Sequence, residues 1–413
     1  MDVLGKYNVY GMVLWIISFP KVSFTLTKLS FPHILLGLCR YLAINLKIKI
    51  MFKKYRILKW ITVFIATSIL IVISFGLWFK SLIPPKDLKV KTASIENLSY
   101  LSENKIPFRG KILAVVTSTS FNKHIDESVG YELTELSRAY YTFKANGFEV
   151  DIASPMGGKP EVVIDKDDMV SYDYAFLNDK IAQNKTSNTL KIANVNPADY
   201  EAIYFVGGKG AMFDFPNNKS IQTIVQTFNE SNKVIGAVCH GPSALVNVTL
   251  DNGLPLLKNR KVSGFTNKEE LLLISEAKTI FPFLLQDKMV SQGAQFNEGA
   301  MYLDNISHDN NLITGQNPWS TWSVANAMIA QLGYTPKYRE LTNEENAVKV
   351  LFTYKTAGKK DAKKLIEKIL LNKQQPISSV LLLKHSIIAA MQGNIKDVSN
   401  ILGLVSFIKN SKS

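Results

Sequence analysis

Five short runs in the middle of the chain are rich in Val, Ile, Ala and aromatic residues and show almost no polar alternation. They are "KILAVVTS" (Lys111 to Ser118), "FEVDIASP" (Phe148 to Pro155), "YEAIYFVGG" (Tyr200 to Gly208), "KVIGAVC" (Lys233 to Cys239) and "NLITGQNP" (Asn311 to Pro318). A strand with one face in water alternates polar and apolar residues. Runs without alternation belong to a sheet covered on both faces. Helix-like stretches fall between them at Glu132 to Asn146, Lys219 to Glu230, Pro242 to Asn247, Lys268 to Glu276 and Ser320 to Gln331. This order predicts an α/β fold: a doubly wound, mostly parallel sheet in a flavodoxin-like sandwich. With 413 residues, 46% of them hydrophobic, the chain can build such a core and still carry further parts.

The flanks differ. Trp60 to Phe79, "WITVFIATSILIVISFGLWF", is twenty residues without a charge, close to the roughly 20 that span a bilayer as a helix. Trp60 and Trp78 sit near its ends, and "MFKKYRILK" (Met51 to Lys59) places a basic cluster before it. The pattern predicts a transmembrane signal anchor over 51–80, with the basic flank cytoplasmic and the rest of the chain extracytoplasmic. The run is longer than a signal-peptide core, and no small-residue cleavage site follows it. Met51 begins a well-formed anchor signal, so residues 1–50 read as an upstream extension, non-native or poorly ordered. Residues 81–110 read as a polar spacer, 111–335 as the α/β domain, and 336–413 as a small helical appendage around Pro376.

The formal charge of +14 is concentrated in that leader, whose first 59 residues hold only one acid, Asp2, and in the lysines from Lys359 to Lys373. No interleaving of aromatic and basic residues accompanies it, so membrane rather than nucleic acid is the expected partner. The two cysteines, Cys39 and Cys239, have unlike surroundings and suggest free thiols. The histidines His33, His124, His308 and His385 show no metal-ligand spacing, and no metal or cofactor is expected.

Cys239 ends a strand. In "AVCHG", Ala237 and Gly241 flank it at the positions where a nucleophile elbow requires small residues, because the chain turns there sharply into a helix. Such a turn lifts the sulfur to the sheet edge, and a following helix N-terminus would lower its pKa. His240 lies beside it as a base.

Four segments, "AVCHGPSAL", "FVGGKGAMFDFPNN", "GYELTELSRAYYTFKANGFEVDIASPMGG" and "LITGQNPWS", together resemble the ThiJ/PfpI superfamily, which has a class I glutamine amidotransferase-like fold. The branch they resemble holds the heat-shock chaperone-like, glutathione-independent glyoxalases (glyoxalase III). The resemblance covers roughly Lys111 to Leu332. It implies Cys239 as nucleophile, His240 as its diagnostic neighbour, and Glu135 as the acid that bonds the thiol, with Glu132 as rival. The third member of the Cys-His-acid set falls on Glu269 or Glu270 in "SGFTNKEEL". Gly207 and Gly208 would aim backbone N–H groups at the reacting oxygen. One departure is Lys209, where the family commonly carries His.

The resemblance implies a cofactor-independent enzyme converting methylglyoxal or a similar 2-oxoaldehyde to a hydroxyacid such as lactate. A small reactive carbonyl is then the substrate, and a homodimer is the assembly it suggests. Two other classes fit the same residues: a cysteine peptidase or amidase, and a membrane-tethered chaperone or redox sensor.

Overall fold

A computed structural model describes residues 40–47, 49, 56–83, 88–122, 125–372 and 375–411. The expectations for residues 1–39, Cys39, His33, Met51 and His124 lie outside the described residues. The chain divides into two compact units, Asp2–Pro84 and Pro85–Ser413.

In the first unit, helix α1 (Arg56–Ser81) runs for 26 residues, roughly 39 Å at the usual helical rise. Its portion Lys59–Ser81 is long and apolar enough to cross a membrane. Phe64 and Ile71 on it are 71% and 67% exposed. A helix closes its backbone hydrogen bonds within itself, which an apolar surrounding demands.

The second unit is built on a seven-stranded sheet. Its strands are β1 (Lys111–Val115), β2 (Glu149–Ser154), β3 (Leu190–Lys191), β4 (Ala202–Phe205), β5 (Val234–Val238), β6 (Ile306–Asp309) and β7 (Leu312–Gly315). The order is β6-β7-β5-β4-β1-β2-β3, with every pair parallel except β6 and β7. All residues of β4, β5 and β7 are buried, so both faces of the sheet are covered. The five apolar runs are the five inner strands. The two edge strands escape the pattern for separate reasons. β3 has two residues, too few for any period. β6 reads "ISHD", and a tight turn at Asn310 (φ 53°) folds it back on β7.

Helix α2 (Leu133–Ala145) packs with α5 (Thr321–Gln331) against the sheet, while α3 (Lys219–Glu230) lies on β5 and α4 (Asn267–Leu273) comes later in the chain. The order puts β2 on one side of β1 and β4 on the other. The carboxyl ends of β1, β4 and β5 therefore border a topological switch point, where open α/β sheets place their sites.

Two flanking segments pack on the α/β domain. Within the supposed spacer, residues 88–92, 95–97 and 99–102 form short helical turns on the domain. Tyr100 is buried edge-on against Tyr172, and Asn178 Nδ2 donates to the carbonyls of Lys91 and Ala93 at 3.1 and 2.9 Å. Its polar side chains serve the turns rather than a free linker; Ser94, for example, donates its backbone N–H to Asn97 Oδ1. The C-terminal helices α6 (Asn343–Ala357), α7 (Lys359–Glu367), α8 (Ser379–Met391) and α9 (Ile395–Asn410) belong to the same compact unit as the sheet. Arg339, just before α6, lies 3.7 Å over the Trp322 ring of α5, and Lys384 of α8 bonds Asp168 at 2.6 Å.

Candidate active site

β5 delivers Cys239 at its carboxyl end with φ +59°. A non-glycine residue rarely adopts this left-handed backbone, and it persists only where neighbours over-determine it. Both backbone groups of Cys239 are tied: its N–H donates to Gly315 O at 3.0 Å, and its carbonyl accepts from Phe265 N at 2.9 Å. Gly315 ends β7, so the strand beside β5 holds the turn. After His240 the chain makes a four-residue 3₁₀ turn, Gly241–Ala244, rather than the expected helix over 242–247. A turn this short supplies little dipole to a thiolate.

The thiol is correspondingly not depressed, contrary to expectation. Cys239 is 4% exposed, and burial, followed by the charge of Glu135, holds its pKa well above the ordinary thiol value. Glu135 is itself buried in the first turn of α2, and burial raises its carboxyl to about 8. Its Oε2 accepts the Gly207 N–H at 2.7 Å, while Oε1 has no hydrogen-bond partner of normal geometry. Two buried acids side by side cannot both ionise cheaply. At neutral pH both therefore keep their protons, and a neutral Glu135 is the form able to donate to a thiolate. Glu132, the rival, is the N-cap of α2, and Glu135 is the acid that α2 turns toward the sulfur.

Cys239 Sγ lies 3.3 Å from His240 Nδ1, and His240 Nε2 lies 2.7 Å from Glu270 Oε2. The imidazole is walled by Phe265, with ring centroids 4.5 Å apart, and by Phe281 at 6.2 Å. Of the paired acids, Glu270 therefore reaches the histidine. Glu269 points elsewhere. Its Oε1 accepts from Tyr302 N, Gln316 Nε2 and Asn317 Nδ2 at 2.7, 3.0 and 3.0 Å. Its Oε2 closes a capping box with Thr266, accepting the backbone N–H at 3.1 Å and the hydroxyl at 2.8 Å. Adjacent residues on a helix are about 100° apart, so they face different surroundings.

The glycines behave differently from one another. A Cβ at Gly207 would stand 2.6 Å from Glu135 Oε2 and 2.8 Å from His240 N, so no larger residue fits. Its N–H is given to Glu135, which removes it as a donor to a reacting oxygen. Gly208, at φ +109°, retains its N–H, and no backbone acceptor among the described residues takes the N–H of His240. The N–H of the residue after the nucleophile is a donor that elbows commonly use, and the spacing of the glycines does not reveal it. Lys209 comes next on the same turn, half-buried. Among the described residues no group of three His, Cys, Asp or Glu could hold a metal. His308 is exposed and bonds Asn310 O and Gln331.

The residues supporting Glu269, namely Tyr302, Gln316 and Asn317, carry no sequence signal that marks them as part of the site. Gln316 and Asn317 stand in the stretch "LITGQNPWS", but only the fold turns them toward α4.

Residues 128–331 match the DJ-1/PfpI family. The glutathione-independent glyoxalase HSP31 of Saccharomyces cerevisiae is 31% identical over 226 residues, 52% of this chain and 94% of that protein. The chain belongs to the DJ-1/PfpI family. Glyoxalase 3 of Candida albicans is 29% identical over 234 residues, 53% of this chain and 97% of that protein. Among solved structures, the Rapid Encystment Protein 24 KDa of Francisella tularensis is 35% identical with a TM-score of 0.51, covering 54% of this chain and 99% of that one. About half of this chain thus accounts for nearly the whole length of these relatives.

Proposed function

We propose that this family member is a glutathione-independent glyoxalase whose nucleophile is Cys239, acting on methylglyoxal or a similar small 2-oxoaldehyde. The observation that carries this reading is the continuous line from Cys239 Sγ to His240 Nδ1 at 3.3 Å and from His240 Nε2 to Glu270 Oε2 at 2.7 Å. The names of its relatives supply the substrate class.

The Cys239 sulfur adds to the aldehyde carbon and gives a hemithioacetal, with its oxygen facing the N–H groups of Gly208 and His240. His240 removes the proton from that carbon and returns it to the neighbouring carbonyl carbon, while the hemithioacetal hydroxyl passes its own proton to that carbon's oxygen. The first carbon is oxidised to a thioester and the second is reduced. Glu270 orients the imidazole and offsets its charge while it holds the proton. Water then cleaves the thioester, releasing the hydroxyacid and restoring the thiol. Glu135 holds a proton next to the sulfur as its charge appears and disappears.

Methylglyoxal consumption without glutathione, followed with lactate detection, tests the proposal on the full chain. Cys239→Ala should fall to background, a loss of roughly 10³-fold or more. Consumption that survives this substitution would sink the assignment, and amine release from peptides instead would favour a hydrolase. We further propose that α1 anchors the chain, with the α/β unit extracytoplasmic. Protease added to intact cells with a permeable outer layer should then digest that unit and spare a cytosolic marker.

A further inference from the structure

We infer that Ser243 is a positioning residue for the proposed reaction: its hydroxyl fixes the distance between the two backbone donors, Gly208 N–H and His240 N–H, that receive the reacting oxygen. This role deepens the glyoxalase reading and rests on it for one of two readouts.

The two donors stand on separate turns. Gly208 follows β4, and its turn winds directly into the four-residue helix Ala211–Asp214. His240 follows β5 and leads into the 3₁₀ turn Gly241–Ala244. Ser243 joins the two. Its backbone N–H donates to His240 O at 3.0 Å, its hydroxyl donates to Ala211 O at 2.9 Å, and Ala211 N–H donates to Gly208 O at 3.1 Å. An unbroken path of hydrogen bonds therefore runs from one donor residue to the other, and its middle link is made by a side chain.

The surroundings of that link are stiff. Ser243 is fully buried, where a hydroxyl without a partner is costly, so the bond to Ala211 is kept. Pro242 restricts the backbone between His240 and Ser243. The far end of the short helix is pinned to the chain just beyond β1: Asp214 Oδ1 accepts the Thr117 hydroxyl at 2.8 Å, and Oδ2 accepts the Ser118 N–H at 2.7 Å. A Cβ at Gly210 would stand 2.6 Å from Thr117 Cγ2, and one at Gly241 would stand 2.3 Å from Phe205 O. Each turn is thus braced against the end of a strand, and Ser243 sets the gap between them. A pair of donors stabilises a developing oxyanion only when both reach it, at about 2.7–3.1 Å. In Ser243→Ala the Ala211 carbonyl would still accept the Phe215 N–H at 3.2 Å, so removing the hydroxyl leaves no bare acceptor.

The test compares two reactions of Cys239 in the full chain carrying Cys39→Ser, with Cys239→Ala as the blank. In acetylation by p-nitrophenyl acetate the sulfur bonds to the carbonyl carbon, the thiol proton passes to His240, and nitrophenolate leaves with its bonding pair. That path goes through a tetrahedral oxyanion and so uses both donors. Alkylation by iodoacetamide displaces iodide at a saturated carbon and forms no oxyanion. Ser243→Ala should slow the nitrophenolate burst about tenfold and lower kcat for methylglyoxal about tenfold with KM little changed. Its alkylation rate and alkylation pH midpoint should stay those of the parent. Ser243→Gly removes the same hydroxyl and should show the same split, which keeps the comparison available if one variant does not fold. Acetylation and alkylation falling together, or neither changing, would overturn the inference, as would a parent chain that gives no burst above the blank. If the parent gives a burst but consumes no methylglyoxal, the glyoxalase reading falls, while the split between the two reactions still decides the role of Ser243.

Discussion

Two corners of the second unit meet at consecutive residues of one helical turn. On one side Glu269 enters a corner lined by Tyr302, Gln316, Asn317 and Thr266, where both oxygens are bonded. On the other, Glu270 enters the corner of His240 and Cys239, where Oε2 meets the imidazole and Oε1 is buried without a partner. Both side chains are buried and both are glutamates. Burial alone, then, does not mark a reactive carboxylate. A carboxylate whose acceptor capacity is filled is a strut. One left with spare capacity beside a base can take part in moving a proton.

The largest expected effect comes from the reactive corner. Glu270→Gln should lower kcat about 100-fold while leaving the melting temperature nearly unchanged, since the amide keeps the shape but not the charge. A loss of stability with little loss of turnover would exchange the roles of the two glutamates. The strut should respond in the opposite way. Glu269→Ala strips acceptors from buried donors and should cost about 2–4 kcal/mol of stability, measured by denaturant unfolding. If the unfolding midpoint stays in place, the amide-lined corner is not a strut and the contrast collapses.

A smaller effect sharpens the electrostatics. The fold raises Glu135 from an ordinary value of 4.5 to about 8, so the folded chain binds a proton that the unfolded chain releases. The resulting stabilisation is full below about 4.5 and is lost as pH rises through about 8. The melting temperature should therefore decline over that window, and Glu135→Gln should flatten the decline. Parallel profiles for the two proteins would mean that Glu135 is not held neutral.

Much of this architecture is legible in the chain itself. The strands at Ala202–Phe205 and Val234–Val238 stand out because a strand buried on both faces leaves an unbroken apolar run. The elbow is legible because its tight backbone demands small neighbours around Cys239. Other features leave no local trace. Residues 88–104 have the composition of a linker yet pack on the domain, because Asn178 and Tyr172, far along the chain, supply their partners. The short turn after Cys239 cannot be told from a helix start, since Gly-Pro opens either one. The thiol's raised pKa depends on enclosure by several elements, none of which is visible from its own neighbours.

Sequence pattern suffices for the inner strands of the core, the place of Cys239 and His240 at the end of one of them, and a charge-free helix before them. Each rests on short-range information: periodicity, side-chain size and local charge. Folding in three dimensions settles the rest: which glutamate faces the histidine, which glycine N–H is spent on Glu135, and which side chains fill the corner around Glu269. Those outcomes depend on direction and on partners from distant segments, and a linear pattern records neither.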